Sequence, residues 1–360
     1  MDRNASPACA GIGCRHGPES AHYVTLIEPW LPTYSWTWNT AVILRGLGNY
    51  GVDLFFVLSG YLIYGMLIAK PRRFWPYFAR RIQRIYPAFL VVFAIYLVLS
   101  WLMPAVSKIP GKPAEAIIYL VQNVLLLPGL FSVPPLITVA WSLSYEMFYY
   151  LAIPLIIALL GLRSWPRSLR MLLFFVIAVV SFVYCALFGG PVRLTMFVAG
   201  ILLYDALESR SGPILDLTGL AVLVIGLIAV AMMQRHDEWG VPRLMILFVA
   251  FFVLCYACFC ANGVTSRIFC WTPIRWLGNM SYSYYLLHGL TLRVAFEGLE
   301  SVYQSSAQEA WMFWIMLPPM FLASLLTTGI LFVAIERPYS LLVARPAPEG
   351  RTGAGTRPAS

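Results

Sequence analysis

Long apolar runs recur along most of the 360-residue chain and limit the folds that it can adopt. Hydrophobic residues make up 60% of the sequence, whereas Asp, Glu, Lys and Arg together make up 11%. A water-soluble domain carries about a quarter charged residues and cannot bury so much apolar surface. The composition therefore predicts an all-α fold, a polytopic transmembrane helical bundle.

Nine apolar segments approach or exceed the length of about 20 residues that a membrane-spanning helix needs. We place them at 51–69, 85–104, 140–160, 171–188, 193–207, 217–233, 243–262, 276–296 and 311–335. Segment 115–131 contains Gln122, Asn123 and Pro128, so we expect an interfacial or re-entrant helix there. The predicted positions of the two termini require one more helix, so the bundle is predicted to have about nine to ten spans.

Basic residues concentrate in loops that this span count places on one side of the membrane. Loop 70–84 carries six Lys or Arg residues, and loop 161–170 carries three. Cytoplasmic loops are enriched in such residues, so these loops and the C-terminus are predicted to be cytoplasmic. The net charge of +9 is attributed to topology and to anionic lipid headgroups, and no nucleic acid partner is expected.

The two ends of the chain differ from the apolar middle. Residues 1–21 lack a continuous apolar core, and we predict an atypical, disordered N-terminal segment. A span upstream of about residue 22 would satisfy the topology, so we expect that the start of this sequence is truncated or altered. Residues 341–360 are rich in Pro, Gly, Ala and Arg and are predicted to be a disordered cytoplasmic tail.

The seven cysteines show no paired framework, and no metal site is predicted.

Several ionisable residues fall within apolar segments, where a charge costs about 2.5–3.5 kcal/mol on insertion scales. Asp53 lies near the start of GVDLFFVLSG, Glu146 lies in WSLSYEMFYYLAIPL, and His288 lies in LGNMSYSYYLLHGL. Asp53 can be a simple first-turn residue of a helix, and the other two can make structural hydrogen bonds. The functional alternative is a polar cavity that these side chains line.

Arg80, Arg81 and Arg84 form another polar group, in RRFWPYFARRIQRIYPAFL. Arg80 and Arg84 are four residues apart and share a helical face, to which Arg81 is adjacent. They can mark the cytoplasmic side of the membrane together with the aromatic residues that precede them. Guanidinium groups also bind phosphate in a bidentate manner, so a nucleotide-bearing donor such as coenzyme A is the functional alternative.

The order of these stretches resembles the acyltransferase-3 family of integral membrane acyltransferases. GVDLFFVLSG at 51–60, RIQRIYP at 81–87, WSLSYE at 141–146, SYSYYLLH at 281–288 and IERP at 335–338 follow one another as in that family. The family's first helix, with an Arg followed ten residues later by a catalytic His, is not recognisable. His22, which lies 31 residues before Asp53, is the residue that we match to that His.

The resemblance implies a membrane acyltransferase domain over residues 22–340 in the bacterial inner (plasma) membrane. Its expected reaction moves an acyl group, acetyl in the first instance, from acyl-CoA to a hydroxyl of a carbohydrate or other envelope or secreted molecule. Acyl-CoA is the expected donor, and a carbohydrate or lipid-linked molecule is the expected acceptor. Membrane lipid is expected to surround the protein, and no bound cofactor is expected.

The resemblance also implies roles for individual residues. His22, Asp53 and Glu146 are the expected catalytic residues, and the predicted topology places them toward the outer half of the membrane. Arg80, Arg81 and Arg84 are the expected acyl-CoA-binding residues, at the cytoplasmic end. The expected cavity-lining residues are Ser59, Ser142, Tyr150, Ser281, Tyr285 and His288. The rival hypothesis is a transporter or structural membrane protein in which the same polar residues form a solute path.

Overall fold

The structure is a computed structural model that describes residues 23–32, 35–104, 107–209, 217–233, 240–260, 263–303 and 309–342. Within these ranges the chain is helical and forms no β-strand, which confirms the all-α prediction. The helices are α1 (Tyr23–Ile27), α2 (Trp36–Gly48), α3 (Gly51–Ala69), α4 (Phe74–Leu102), α5 (Pro113–Val124), α6 (Trp141–Leu159), α7 (Arg167–Phe188), α8 (Thr195–Ser209), α9 (Thr218–Met233), α10 (Gly240–Cys260), α11 (Val264–Cys270), α12 (Thr272–Asn279), α13 (Ser281–Val302), α14 (Met312–Leu331) and α15 (Arg337–Leu342). A π-helical turn, Phe332–Glu336, joins α14 to α15.

Six helical segments of the described chain are long and apolar enough to cross a membrane: Trp36–Ala69, Phe74–Leu102, Thr138–Leu159, Arg167–Phe188, Gly240–Cys260 and Met312–Tyr339. These segments support an integral membrane protein, but the predicted count of nine to ten spans is not confirmed. Two predicted spans fall on α8 and α9, which have only 15 and 16 residues. A third falls largely on α13, whose 22 residues include Arg293, Glu297 and Glu300.

Helices α2 and α5 lie outside the predicted spans. Only Asn49 and Tyr50 separate α2 from α3, so the pair forms one apolar segment of 34 residues. Helix α5 has 12 residues and lies where the sequence predicts an interfacial or re-entrant helix. In the turn after α5, Gly129 has φ of +91°, and a Cβ there would lie 2.8 Å from the carbonyl oxygen of Trp141. Glycine at this position therefore lets the turn pack directly against the start of α6.

Helices α3 and α8 form the packed centre of the bundle. A Cβ on Gly60 would lie 2.1 Å from the carbonyl oxygen of Phe197, and one on Gly200 would lie 1.9 Å from that of Val57. The two backbones touch at these glycines, as small residues allow in membrane helices. The Phe56 and Phe197 rings stack beside the crossing, with centroids 4.7 Å apart. This close contact fixes the position of α3 along α8.

A buried ion pair joins α7 and α8 and also involves the C-terminal half of α3. Nη2 of Arg170 lies 2.5 Å from Oδ1 of Asp205, and its Nε lies 3.2 Å from Oδ2. The hydroxyl of Tyr64 donates a hydrogen bond of 2.9 Å to the same Oδ2. The side chains of Arg170 and Asp205 are 10% and 1% exposed. Arg170, which the sequence analysis assigned to a basic loop, is therefore part of the bundle interior.

Removing the charge of Asp205 should destabilise the bundle strongly, because the Arg170 guanidinium stays buried without its counter-charge. We expect Asp205→Asn to lower the free energy of unfolding by about 3–5 kcal/mol. The check is the melting temperature of the purified protein in detergent. The exposed pair Arg167–Glu208 joins the same two helices, with both side chains 49% exposed. Glu208→Gln should cost less than about 1 kcal/mol, and equal melting temperatures for the two variants would contradict the buried role.

Candidate active site and donor cavity

A basic cavity of about 710 Å³ lies near the C-terminal end of α3 and the start of α4. Its volume is within the range of about 300–1,000 Å³ that is usual for small-molecule sites. The polar lining consists of Arg80, Arg81, Arg84, Asn279, Glu336 and Arg337, and the apolar lining includes Met66, Tyr77 and Trp276. The three arginines that the sequence analysis singled out thus share one cavity with a fourth, Arg337.

Two tyrosine rings hold the guanidinium group of Arg81. Its Cζ lies 5.2 Å from the centroid of the Tyr150 ring and 5.6 Å from that of the Tyr77 ring. A cation at this distance from an aromatic face is attracted by the ring quadrupole. Tyr77 lies near the start of α4 and Tyr150 in the middle of α6, so Arg81 is fixed between two helices.

Glu146 lies in the bundle interior beside these arginines. Its side chain is buried, and the hydroxyl of Tyr150 donates a hydrogen bond to its Oε1. Arg84 and Arg81 are its charged neighbours. The sequence analysis grouped Glu146 with Asp53, whereas the structure places it with the expected donor-site arginines. The cause is the rotation of α6, which turns Glu146 and Tyr150 toward α4.

The junction of α14 and α15 forms another part of the cavity lining. The carboxylate of Glu336 accepts hydrogen bonds of 3.1 and 2.5 Å from the backbone N–H and the hydroxyl of Ser283. Ser283 lies in the first turn of α13, where backbone N–H groups lack helical partners. Glu336 therefore anchors the start of α13 to the π-helical turn, and the next residue, Arg337, lines the cavity.

Asp53 lies at the opposite end of α3, about 20 Å along the helix axis from Met66. It is fully buried, and Nη1 of Arg193 lies 3.7 Å from its Oδ2. The Cζ of Arg193 also lies 5.2 Å from the centroid of the Trp141 ring and 5.8 Å from that of Tyr50. Asp53 is therefore an interior carboxylate beside a cation that aromatic rings hold, and not an exposed first-turn residue.

Ser142 and Tyr285 connect α6 to α13 next to this second cluster. The hydroxyl of Ser142 donates a hydrogen bond of 2.8 Å to that of Tyr285, which donates one of 2.9 Å to the carbonyl oxygen of Val139. Arg193 and Asp53 both interact electrostatically with Tyr285. The predicted residues Ser142 and Tyr285 thus lie together at the Asp53 end of the bundle.

His288 lies one helical turn beyond Tyr285 and is buried. Its Nδ1 is 2.8 Å from the carbonyl oxygen of Tyr284, and its ring stacks on the Tyr284 ring with centroids 5.1 Å apart. A carbonyl oxygen only accepts hydrogen bonds, so Nδ1 carries a hydrogen in this arrangement. These contacts fix the orientation of the imidazole within α13.

One face of α6 connects the two clusters. Ser142, Glu146 and Tyr150 are each four residues apart, so they follow one face over about 12 Å of helix. All three are buried. Ser142 lies at the Asp53 end, and Tyr150 lies at the cavity end beside Arg81. We call these three side chains the polar path, because they extend from the basic cavity toward Asp53.

Three further predicted site residues, Ser59, Ser281 and His22, belong to different segments of the chain. Ser59 is buried on α3, directly before the contact glycine Gly60. Ser281 is exposed at the first position of α13, and the buried serine at this end of the helix is Ser283. Ser281 is four residues before Tyr285 and seven before His288, a spacing that places the three on one side of a helix in the sequence. His22 lies outside the described residues.

Four residues of these clusters were missed in the sequence analysis: Arg193, Arg337, Trp276 and Ser283. Arg193 is the first residue of the predicted span 193–207, where a basic residue is unusual. That mismatch could have drawn attention to it. Arg337 lies within IERP, but the sequence analysis gave it no role of its own. Ser283 and Trp276 carry no such pattern, because their roles depend on how α12, α13 and α14 pack.

Lys108 adds a positive charge near the start of α6. Its Nζ lies 3.1 Å from the carbonyl oxygen of Pro135 and 3.4 Å from the hydroxyl of Thr138. Partial burial lowers the pKa of Lys108, and the Arg293 guanidinium lowers it further. Lys108 and Arg193 therefore both lie at the Asp53 end of the polar path.

Comparison with known proteins gives a family match and two informative relatives. The family model, described as an acyltransferase domain, matches residues 17–333. The O-acetyltransferase OatA of Staphylococcus aureus is 27% identical over 278 residues, which cover 67% of this chain and 45% of that protein. The peptidoglycan O-acetyltransferase OatA of Listeria monocytogenes is 26% identical over 282 residues, which cover 67% and 44%. No solved structure matches the chain significantly.

The chain thus spans under half the length of the curated relatives it matches. The family match, in contrast, covers most of this chain, including the Asp53 cluster, the three arginines of α4 and the polar path, whereas Glu336 and Arg337 lie just beyond it. The match confirms the resemblance that the ordered motifs indicate. The protein belongs to the acyltransferase-3 family of integral membrane acyltransferases.

Proposed function

We propose that the protein is a membrane-embedded O-acyltransferase that moves an acetyl group from acyl-CoA to a hydroxyl of a cell-envelope carbohydrate. Family membership supports acyl transfer, and the names of the two relatives favour acetyl as the group and oxygen as its destination. The observation that carries the proposal is the polar path, which extends from a basic cavity of ligand size toward the buried Asp53.

The donor is proposed to bind in the basic cavity. Acyl-CoA carries three phosphate groups, and the four cavity arginines supply planar donors that suit phosphate oxygens. Arg81 is already oriented by two rings, and Glu146 holds Tyr150 in place beneath it. The thioester arm of the donor then follows the polar path toward Ser142. The basic loop 70–84 favours a cytoplasmic position for this cavity.

The proposed chemistry takes place toward the Asp53 end. A base removes the proton of the acceptor hydroxyl, the oxygen attacks the thioester carbonyl carbon, and the carbon–sulfur bond breaks. The acceptor's proton ends on the coenzyme A sulfur, so an ester and a thiol are the products. We assign the base to His22 from the family resemblance, because imidazole titrates near neutral pH. Asp53 would orient that imidazole and stabilise its charged form.

The acceptor is proposed to approach from the outer side of a bacterial inner membrane, with the C-terminus in the cytoplasm. One relative is named for peptidoglycan, whose sugars carry free hydroxyl groups, so peptidoglycan fragments are the first acceptors to test. Lys108 and Arg193 lie at this end and would attract an anionic or lipid-diphosphate-linked acceptor.

The direct test incubates the purified protein in proteoliposomes with labelled acetyl-CoA and peptidoglycan fragments or other sugar acceptors. We expect thiol release and acetylated product, with a KM for acetyl-CoA that rises about tenfold or more in Arg80→Gln or Arg84→Gln, since each loses charge-assisted contacts to phosphate. Arg72→Gln is the matched control, because Arg72 is exposed and belongs to the same basic loop. Solute uptake without any thiol release would instead identify a transporter.

Asp53→Asn tests the carboxylate. We expect acyl transfer to fall by about 10²–10⁴-fold, as when a general acid–base pair is lost, while donor binding stays near the wild-type value. The reason for retained binding is the distance of about 20 Å between Asp53 and the cavity. Melting temperatures should verify that the variant folds, and Glu297→Gln on the exposed side of α13 serves as the control. A folded, fully active Asp53→Asn protein would reject the assignment.

A further inference from the structure

Trp276 lines the basic cavity but is not needed for the phosphate contacts proposed above. It lies on α12, a helix in which no residue is buried, and 56% of its surface is exposed. Asn279 lies on the same helix, lines the same cavity and is also exposed. An indole ring and an amide thus line a cavity whose charged groups are four arginines and the carboxylate of Glu336.

We propose that Trp276 and Asn279 form a recognition site for the adenine ring of the donor's nucleotide. This inference rests on the proposed function, in which the donor is acyl-CoA. Every base has a π-face that stacks on an aromatic side chain. An Asn amide carries both a donor and an acceptor and can pair with the hydrogen-bonding edge of adenine. The chemistry of the two side chains therefore suits the base rather than the phosphates.

The aromatic and amide lining residues come from a different helix than the cationic ones. The cations come from α4 and from Arg337, whereas the ring and the amide come from α12. A nucleotide would use two such sets of residues, because its base and its phosphates are attached at different ends of the ribose. Gly278 lies between the two residues on α12, and a Cβ there would meet no atom within 4 Å. Open space therefore adjoins the helix where a base would enter.

The competing explanation is that Trp276 anchors α12 at the membrane interface, where tryptophan is enriched. Trp271 offers a comparison within the same segment. It directly precedes α12, is 63% exposed and is not among the residues that line the cavity. An interfacial role would apply to both tryptophans, whereas base recognition applies to Trp276 alone.

The test measures the binding of adenosine 3′,5′-bisphosphate and of inorganic pyrophosphate to the full-length protein in detergent. Trp276→Ala should weaken binding of the bisphosphate about tenfold, within the range found when a stacking residue is removed. Trp276→Phe should restore most of it, because phenylalanine keeps an aromatic face. Pyrophosphate has no base, so its affinity should not change in Trp276→Ala. Trp271→Ala should bind both probes like the wild type.

The outcomes separate this site from the proposed function. Equal losses for both probes in Trp276→Ala, equal losses in Trp271→Ala, or no binding of the bisphosphate to the wild type would overturn the adenine site. Selective loss of the bisphosphate, together with no acetyl transfer from acetyl-CoA by the wild type, would support the adenine site and refute the acyltransferase proposal.

Discussion

Placing a charged side chain in hydrocarbon costs free energy, and this constraint determines how charges are paired in the interior of this bundle. Asp205 lies against Arg170, Asp53 against Arg193, and Glu146 beside Arg81 and Arg84. In each case the cation and the anion come from different segments of the chain, so each contact also fixes how those segments pack. The charges that make the sequence unusual for a membrane protein are thus positioned by the fold and help to define it.

The three groups differ in what surrounds them. The Arg170–Asp205 pair is enclosed and joined by two hydrogen bonds, with Tyr64 as a third partner, and it suits a structural role. Arg81 and Arg84, the charged neighbours of Glu146, line a cavity, and Arg193 is packed between rings at the other end of the bundle. The polar path lies between these two groups along α6. The proposed transfer across the membrane would use such an arrangement, with the donor and the acceptor entering from different sides.

The sequence predicts much of this fold, because apolar length and loop charge are local properties. The all-α class, the helices that contain Asp53, Glu146 and His288, and the family follow from such patterns. The number of spans does not, since α8 is short yet lies at the centre of the bundle, where Gly200 contacts α3. The grouping of Glu146 with arginines instead of Asp53 depends on the rotation of α6 against α4. Arg193, Arg337 and Trp276 gain their positions only through packing between distant segments.

The central claim is that the two faces of the membrane are joined through the interior of this one chain. It is tested most directly in sealed membrane vesicles of both orientations, with a peptidoglycan fragment enclosed and acetyl-CoA, which does not cross the bilayer, added outside. The account predicts acetylation of the enclosed fragment only in inside-out vesicles, whose cytoplasmic face meets the acetyl-CoA. Acetylation that requires the donor and the fragment to be on the same side would contradict it.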